Sequence, residues 1–272
     1  MLDIIVSAYK QEKYLNKCLD SILDQEEKCN IIIINPKPSK KYLEIIDSYK
    51  EKIGLFIHSH DTGCADGLNK ALPHLSKDYS LVLNGDDYLI PQSIHTVKKY
   101  IKFNFDTLIG WTFLRFDNKN KVKIGKPYKF TPKRLIYGSS WIPHPSTIYN
   151  NRIFIEGHKF NPKNKLNWDT ELLLDLYKDN KKFLYVEEFY SVFRIHEDSI
   201  TYSVNYDENN SKIKKIKNET RDYLFLKVTG KRNNFFDNIL TSTTSFLFRI
   251  YRFFSEKFTI DSKYLIFEKF KK

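Results

Sequence analysis

Residues 80–91 read SLVLNGDDYLIP. An apolar run of strand character, Leu81 to Leu83, ends in two adjacent acids, Asp86 and Asp87. Like charges side by side at a strand end repel, and the arrangement costs energy unless something positive sits beside them. Asn-Gly-Asp-Asp is also good turn chemistry on its own. The stretch alone therefore reads two ways: as a turn, or as a cation site of hard oxygen ligands suited to Mg²⁺ or Mn²⁺. Mg²⁺ takes few protein ligands and shares its sphere with substrate phosphates, so the second reading points to a diphosphate.

The surroundings alternate strand and helix. Upstream, Asp3 to Ser7 is a short apolar strand, and Tyr14, Leu15, Cys18, Leu19, Ile22 and Leu23 recur at helical spacing. Ile31 to Ile34 suits a strand buried on both faces. Ser39 can cap a helix carrying Leu43, Ile45, Ile46 and Tyr49, Leu55 to His58 is a third strand, and Ala65 to Leu75 a third helix. Pro91 is expected to open the next helix. This order predicts right-handed βαβ units and a largely parallel sheet, in which ligands lie beyond the carboxyl ends of the strands. Further on, Asp106 to Phe116 reads as a strand, 118–120 as a turn, 167–179 as a helix, and Lys182 to Val186 and Tyr190 to Arg194 as two late strands.

The chain has 272 residues, enough for a large core, and 15% aromatic residues argue against disorder. Its formal net charge of +12 calls for acidic partners: nucleic acid, an anionic membrane surface or a phosphorylated substrate. No helix-turn-helix, zinc-finger or RNP-like signal accompanies the charge, so nucleic acid is not an expected partner. The three cysteines, Cys18, Cys29 and Cys64, lack metal-ligand spacing, and with no signal peptide and no membrane-spanning run the expectation is a cytoplasmic protein.

Three blocks together carry a resemblance. SAYKQEKYLNKCLDSIL follows the first strand, DTGCADGLNKAL (61–72) leads into the third helix, and LVLNGDDYLIP ends the fourth strand. They resemble the nucleotide-sugar half of family 2 glycosyltransferases, which have the GT-A fold. The block from Trp141 to Leu176 and the SVFRIHEDSIT segment are similar to that family's acceptor-side and closing segments. The likeness covers about residues 1–200. It implies a GT-A domain over 1–205, with a nucleotide-sugar half (1–100) and an acceptor half (101–205). The remainder, 206–272, is expected to be a basic, aromatic-rich helical extension.

The resemblance also implies roles. Asp86 and Asp87 would hold Mn²⁺ or Mg²⁺. Ser7, Ala8, Tyr9, Asn35, Asp66, Asn69, Lys70, Asn84, Gly85 and Asp86 would bind the donor, expected to be a UDP-sugar, and Arg194 and His196 would reach its diphosphate. Asp66 reads equally as a first-turn acid favoured by the helix dipole. Asp169 would be the base that deprotonates the acceptor hydroxyl in an inverting transfer, with Glu171 as fallback and His144 and Trp168 on the acceptor side. In isolation Asp169 reads as a helix-start charge. One departure stands out: where the family carries an acid after the second strand, this chain has INPKPSKK, with Asn35 in the acid's place. Asn can still hydrogen-bond a uracil.

The acceptor is expected to be a glycan or lipid-linked saccharide of the cell surface. Residues 206–272 hold fifteen Lys and Arg against eight Asp and Glu. This tail either packs as a plain helical appendage or lies in an anionic membrane interface through Phe246, Leu247, Ile250, Phe253 and Phe254. Three rival readings remain: a nucleotidyltransferase, for which SAYKQEKY lacks the glycine-rich loop; a basic nucleic-acid binder; and a degenerate, non-catalytic GT-A protein, supported only by Asn35.

Overall fold

The computed structural model describes residues 2–137, 141–206, 210–234, 237–248 and 250. The chain divides by its contacts into two compact units, Met1–Thr112 with Pro143–Arg194, and Phe113–Ile142 with Ile195–Lys272.

The first unit begins with β1 (Leu2–Ser7), α1 (Glu12–Leu23), β2 (Asn30–Ile34), α2 (Lys40–Tyr49), β3 (Leu55–Ile57), α3 (Cys64–Ala71), β4 (Tyr79–Asn84), β5 (Tyr88–Leu89) and α4 (Ser93–Lys98). It continues through β6 (Thr107–Phe116), and after β7 (Lys121–Gly125) and α5 (Pro132–Ile136) of the second unit it resumes with β8 (Thr147–Asn150), α6 (Arg152–Ile155), α7 (Trp168–Lys178) and β9 (Phe183–Ile195). The second unit adds α8 (Ile200–Tyr206), α9 (Ser211–Thr229) and helical residues 237–248.

One sheet runs β3-β2-β1-β4-β8-β6-β9-β5, with β7 beside β6. β1, β2, β3 and β4 pair in parallel. β8 runs antiparallel to β4 and β6, and β5 antiparallel to β9. The sheet is thus a mixed, Rossmann-like one whose parallel half is built by the βαβ units the sequence announces. Four consecutive isoleucines make β2 because it is covered on both faces, and all four are buried. α1 buries Tyr14, Leu15, Cys18, Leu19 and Ile22, its periodic face. Ser39 caps α2 by accepting the Tyr42 N–H at 3.1 Å, a bond of about 1 kcal/mol in such positions.

Two expectations need correction. Pro91 does not open α4: Pro91 and Gln92 form a turn, Gln92 takes a left-handed φ of 63°, and the helix starts at Ser93. The two late strands are one, β9, because its residues 187–189 continue in extended form between them.

A buried carboxylate closes the end of the sheet away from Asp86. Asp3 is fully buried, and it accepts the N–H groups of Ser76 and Lys77 at 3.0 and 2.8 Å and the side-chain amide of Asn30 at 2.6 Å. Charge-assisted bonds of this kind offset the cost of burying the acid.

At Gly110 the fit inside β6 is tight. A Cβ there would clash with the Tyr190 ring and fall 2.7 Å from the Glu188 carbonyl oxygen. Gly110→Ala is expected to lower unfolding stability by about 1–3 kcal/mol, as overpacking of a full core does. Urea denaturation measures this, and an unchanged midpoint would show that the Tyr190 ring yields at no cost.

Candidate active site

The parallel pairing of β1 and β4 sets Ser7 beside Asn84. Past that pair the two loops are laced together. The Gly85 N–H donates to the Ser7 carbonyl at 2.9 Å, and the Ala8 N–H to the Ile34 carbonyl at 3.1 Å. The approach is so close that a Cβ on Gly85 would stand 2.5 Å from the Ala8 Cβ and 2.8 Å from Gln11 Oε1. Only glycine fits there.

Asn35 belongs to this lacing. Its Nδ2 donates to the Ala8 carbonyl at 2.9 Å, and its Oδ1 accepts the Lys37 N–H at 3.0 Å. The side chain is 1% exposed. The amide in the place of the family's acid thus ties the loop after β2 to the loop after β1. Tyr9, next in that loop, is half-exposed, with Lys10 Nζ 5.3 Å from its ring centre.

The two acids differ in their surroundings. Asp87 is wholly buried, its Oδ1 accepts the Arg194 N–H at 2.8 Å, and its Oδ2 faces Asn84 Nδ2 at 3.4 Å. Burial first, and the neighbouring Asp86 charge second, hold its carboxyl well above the usual carboxylate range, against the pull of Arg194. The Arg194 guanidinium lies between two rings, 4.7 Å from the centre of Tyr14 and 5.3 Å from that of Tyr88. A positive partner for the acid pair is therefore supplied by the protein itself, at the end of β9. The remaining negative potential suits a hard cation. The donor set is carboxylate oxygen, and the nearby Cys18 thiol, raised by burial and by both acids, stays protonated and offers no thiolate.

Asp169, in the first turn of α7, is close enough to act on the Cys64 thiol through its charge, as Asp86 does. Its Oδ1 accepts the Thr170 N–H at 2.7 Å, and burial pushes its carboxyl up to about 6. The Cys64 thiol lies 3.4 Å from Ser7 Oγ, and burial pushes it up to about 12, with the charges of Asp169, Asp61 and Asp86 adding to the shift. Cys64 and Asp61 were not anticipated. A lone cysteine at the start of α3 gives no spacing signal, and Asp61 reads as an ordinary loop acid; here it accepts the Gly63 N–H at 3.0 Å.

His144 packs edge-on against Trp168, with ring centres 4.7 Å apart. Burial pushes its imidazole down to about 3, so it is neutral at physiological pH. Neither ring nitrogen has a hydrogen-bond partner among the described residues. A donor and an acceptor left unpaired are costly, and a ligand hydroxyl would satisfy both needs.

The other expected site residues hold the frame. Asn69 pairs with the Phe160 backbone in both directions, at 2.7 and 3.0 Å. Glu171 is buried and accepts the amides of Asn161 at 2.9 and 3.1 Å and of Asn164 at 2.9 Å. Lys70 donates to Ser59 Oγ at 3.0 Å and to the His60 carbonyl. Asp66 accepts the Thr62 N–H at 2.9 Å, a bond that holds its carboxyl below the usual range. His196 lies in the second unit, where Ser199 Oγ donates to its carbonyl at 2.7 Å.

The family model described as glycosyl transferase family 2 matches residues 3–163. The chain belongs to that family. An uncharacterised glycosyltransferase of Methanocaldococcus jannaschii is 29% identical over 249 residues, covering 88% of this chain and 82% of the relative. The poly(ribitol-phosphate) β-N-acetylglucosaminyltransferase TarS of Staphylococcus aureus is 23% identical over 36% of this chain, a match that spans 18% of TarS. The crystal structure of TarS 1–349 with UDP-GlcNAc superposes with a TM-score of 0.60 at 19% identity, covering 84% of this chain and 74% of that one. A Pyrobaculum calidifontis mannosyltransferase in complex with GDP-Man and Mn²⁺ gives 0.55 at 12% identity, covering 89% and 73%. These likenesses show the GT-A fold. The glycosyltransferase therefore has the architecture its sequence implied.

The environment of Asp169 sets a pH signature. If Asp169 is the base, it works ionised, and turnover should fall as pH drops through about 6. Asp169→Asn should cut turnover by about 10²- to 10⁴-fold and remove that acid limb. A raised folded-state value also means that ionisation costs stability as pH rises through about 6, so the Asn variant should be at least as stable as the parent above that pH. Turnover near the parent's, measured across pH 5–8, would take Asp169 out of the chemistry.

Proposed function

We propose that this glycosyltransferase moves a sugar, with inversion, from a nucleoside diphosphate sugar to a hydroxyl of a glycan or lipid-linked acceptor. The observation that carries the reading is the acid pair that follows β4 where that strand ends level with β1, with the buried, raised carboxyl of Asp169 close enough to act, like Asp86, on the Cys64 thiol through its charge. A leaving-group site and a base are needed on either side of one anomeric carbon, and Asp86 and Asp169 have the environments for those separate tasks.

Asp169 would accept the acceptor's hydroxyl proton. The oxygen then bonds to the anomeric carbon from the face opposite the diphosphate, and the bond to the diphosphate oxygen breaks. One base and one displacement give inversion. A divalent ion, Mn²⁺ or Mg²⁺, would neutralise charge on the leaving diphosphate as a Lewis acid. Asp86 and Asp87 would hold it, with Asp87 also tied to the Arg194 N–H and facing the Asn84 amide. Asn84 and the backbone of Ser7, Ala8, Tyr9 and Gly85 would line the nucleotide, and the Arg194 charge would lie close to the diphosphate. His144 and Trp168 would meet a sugar, the imidazole through its unpaired nitrogens.

UDP is the nucleotide we favour, since the TarS structures hold UDP and UDP-GlcNAc. A surface polysaccharide is the favoured acceptor class, in line with the poly(ribitol-phosphate) named for TarS. The three cysteines are free, which supports a reducing, cytoplasmic setting.

Nucleotide release from UDP-sugars tests the reading. With Mn²⁺ the parent should release UDP from one of them, and EDTA should stop it. Asp86→Asn should abolish the metal response with little change in folding. Asp87→Asn should instead lower the melting temperature, because it weakens the bond to the β9 backbone. A parent that releases no nucleotide from any donor, with or without a saccharide acceptor, would return the degenerate reading to the front.

A further inference from the structure

Helical residues 237–248 are turned the opposite way to an ordinary surface helix. The start is a capping box: Asn234 Oδ1 accepts the Asp237 N–H at 2.9 Å, and Asp237 Oδ2 accepts the Asn234 N–H at 3.1 Å. At about 3.6 residues per turn, Thr241, Thr244, Ser245 and Phe248 share one face. That face is docked within the second unit. The hydroxyls of Thr244 and Ser245 lie 3.0 and 3.1 Å from the Tyr137 carbonyl oxygen, and Phe248 packs edge-on against Tyr128 at 4.7 Å.

The opposite face carries Ile239, Leu240, Phe246, Leu247 and Ile250. They are 48, 45, 62, 58 and 41% exposed. A helix that served only its own core would turn this stripe inward and leave the hydroxyls in water. Here the hydroxyls face in and the apolar residues face out, and exposed apolar patches of this kind mark interaction surfaces.

We propose that this stripe seats the protein on an anionic lipid bilayer, lying in the interface and not crossing it. The charge identifies the occupant. Lys231 and Arg232, just before the helix, are exposed. In the sequence Arg249 and Arg252 flank Ile250, and residues 206–272 hold fifteen basic residues against eight acidic ones. A second copy would meet this positive excess with its own, whereas anionic headgroups complement it. Among the described residues no helix is long and apolar enough to span a membrane, which fits an interfacial helix. Phe253 and Phe254, expected from the sequence to join the apolar face, lie outside the described residues. The inference stands on the helix alone and survives failure of the transferase reading.

Vesicle flotation of the full chain tests it. The protein should float with phosphatidylcholine vesicles containing about 30 mol% phosphatidylglycerol, should not float with phosphatidylcholine alone, and should be released by salt. Phe246→Ser/Leu247→Ser, at two exposed positions, should weaken the apparent binding by about 10- to 100-fold without lowering the melting temperature. Three outcomes overturn the proposal. The parent does not float with the anionic vesicles, or the double variant floats as well as the parent. Alternatively, the double variant dissociates a dimer seen by sedimentation, or melts earlier with vesicle binding unchanged; the stripe is then covered by a second copy or by residues 251–272.

Discussion

The register between β1 and β4 is the constraint on which the site depends. Six parallel pairs, from Leu2 with Tyr79 to Ser7 with Asn84, end both strands at the same level. The loops that follow must then share one small volume, and Gly85 against Ala8 shows how little room is left. A slip of one residue would turn every side chain of the strand to the other face, and with both faces buried each would meet packing shaped for a different side chain. The parts of the proposed donor site are hung from that joint: the backbone after β1, the acids after β4, and the thiol at the start of α3.

The pair Asp86–Asp87 shows how a fold divides labour between identical side chains. Asp87 is drawn inward by the Arg194 N–H and by the charge stacked between Tyr14 and Tyr88. The end of β9 is thereby locked to the end of β4. Asp86, next to it, is the acid proposed to face the metal. A similar division appears at the start of α7, where Glu171 gathers Asn161 and Asn164 and so holds the loop before the helix, while Asp169, two residues earlier and proposed as the base, has its carboxyl raised by burial.

Much of this could be read from the sequence. β1, β2 and β4 follow from apolar runs that are buried on both faces, α1 from its apolar face at helical spacing and α7 from its leucine cluster, and the Asn-Gly-Asp-Asp step marked the candidate site. Less could be read of what each polar residue does there. Asn69 and Phe160 are 91 residues apart, and no local pattern announces that the amide closes on that backbone. Asn35, expected at the nucleotide base, ties two loops together, which its place in the sequence did not announce. Arg194 is the internal counter-charge that the two acids demanded, but its place beside them depends on β9 returning to the sheet, which residue spacing does not encode. The start of α4 was missed because Pro91 suits the turn before a helix as well as its first turn.

The central claim is that the residues past β1 and β4 form a metal-dependent nucleotide-sugar site. Calorimetric titration with UDP, GDP and CDP, each with Mn²⁺ and with EDTA, tests it most directly. The account predicts that UDP binds with Mn²⁺, loses affinity by at least about tenfold in EDTA, and loses the metal response in Asp86→Ala. Binding of no nucleotide, or binding indifferent to both metal and Asp86, would contradict it.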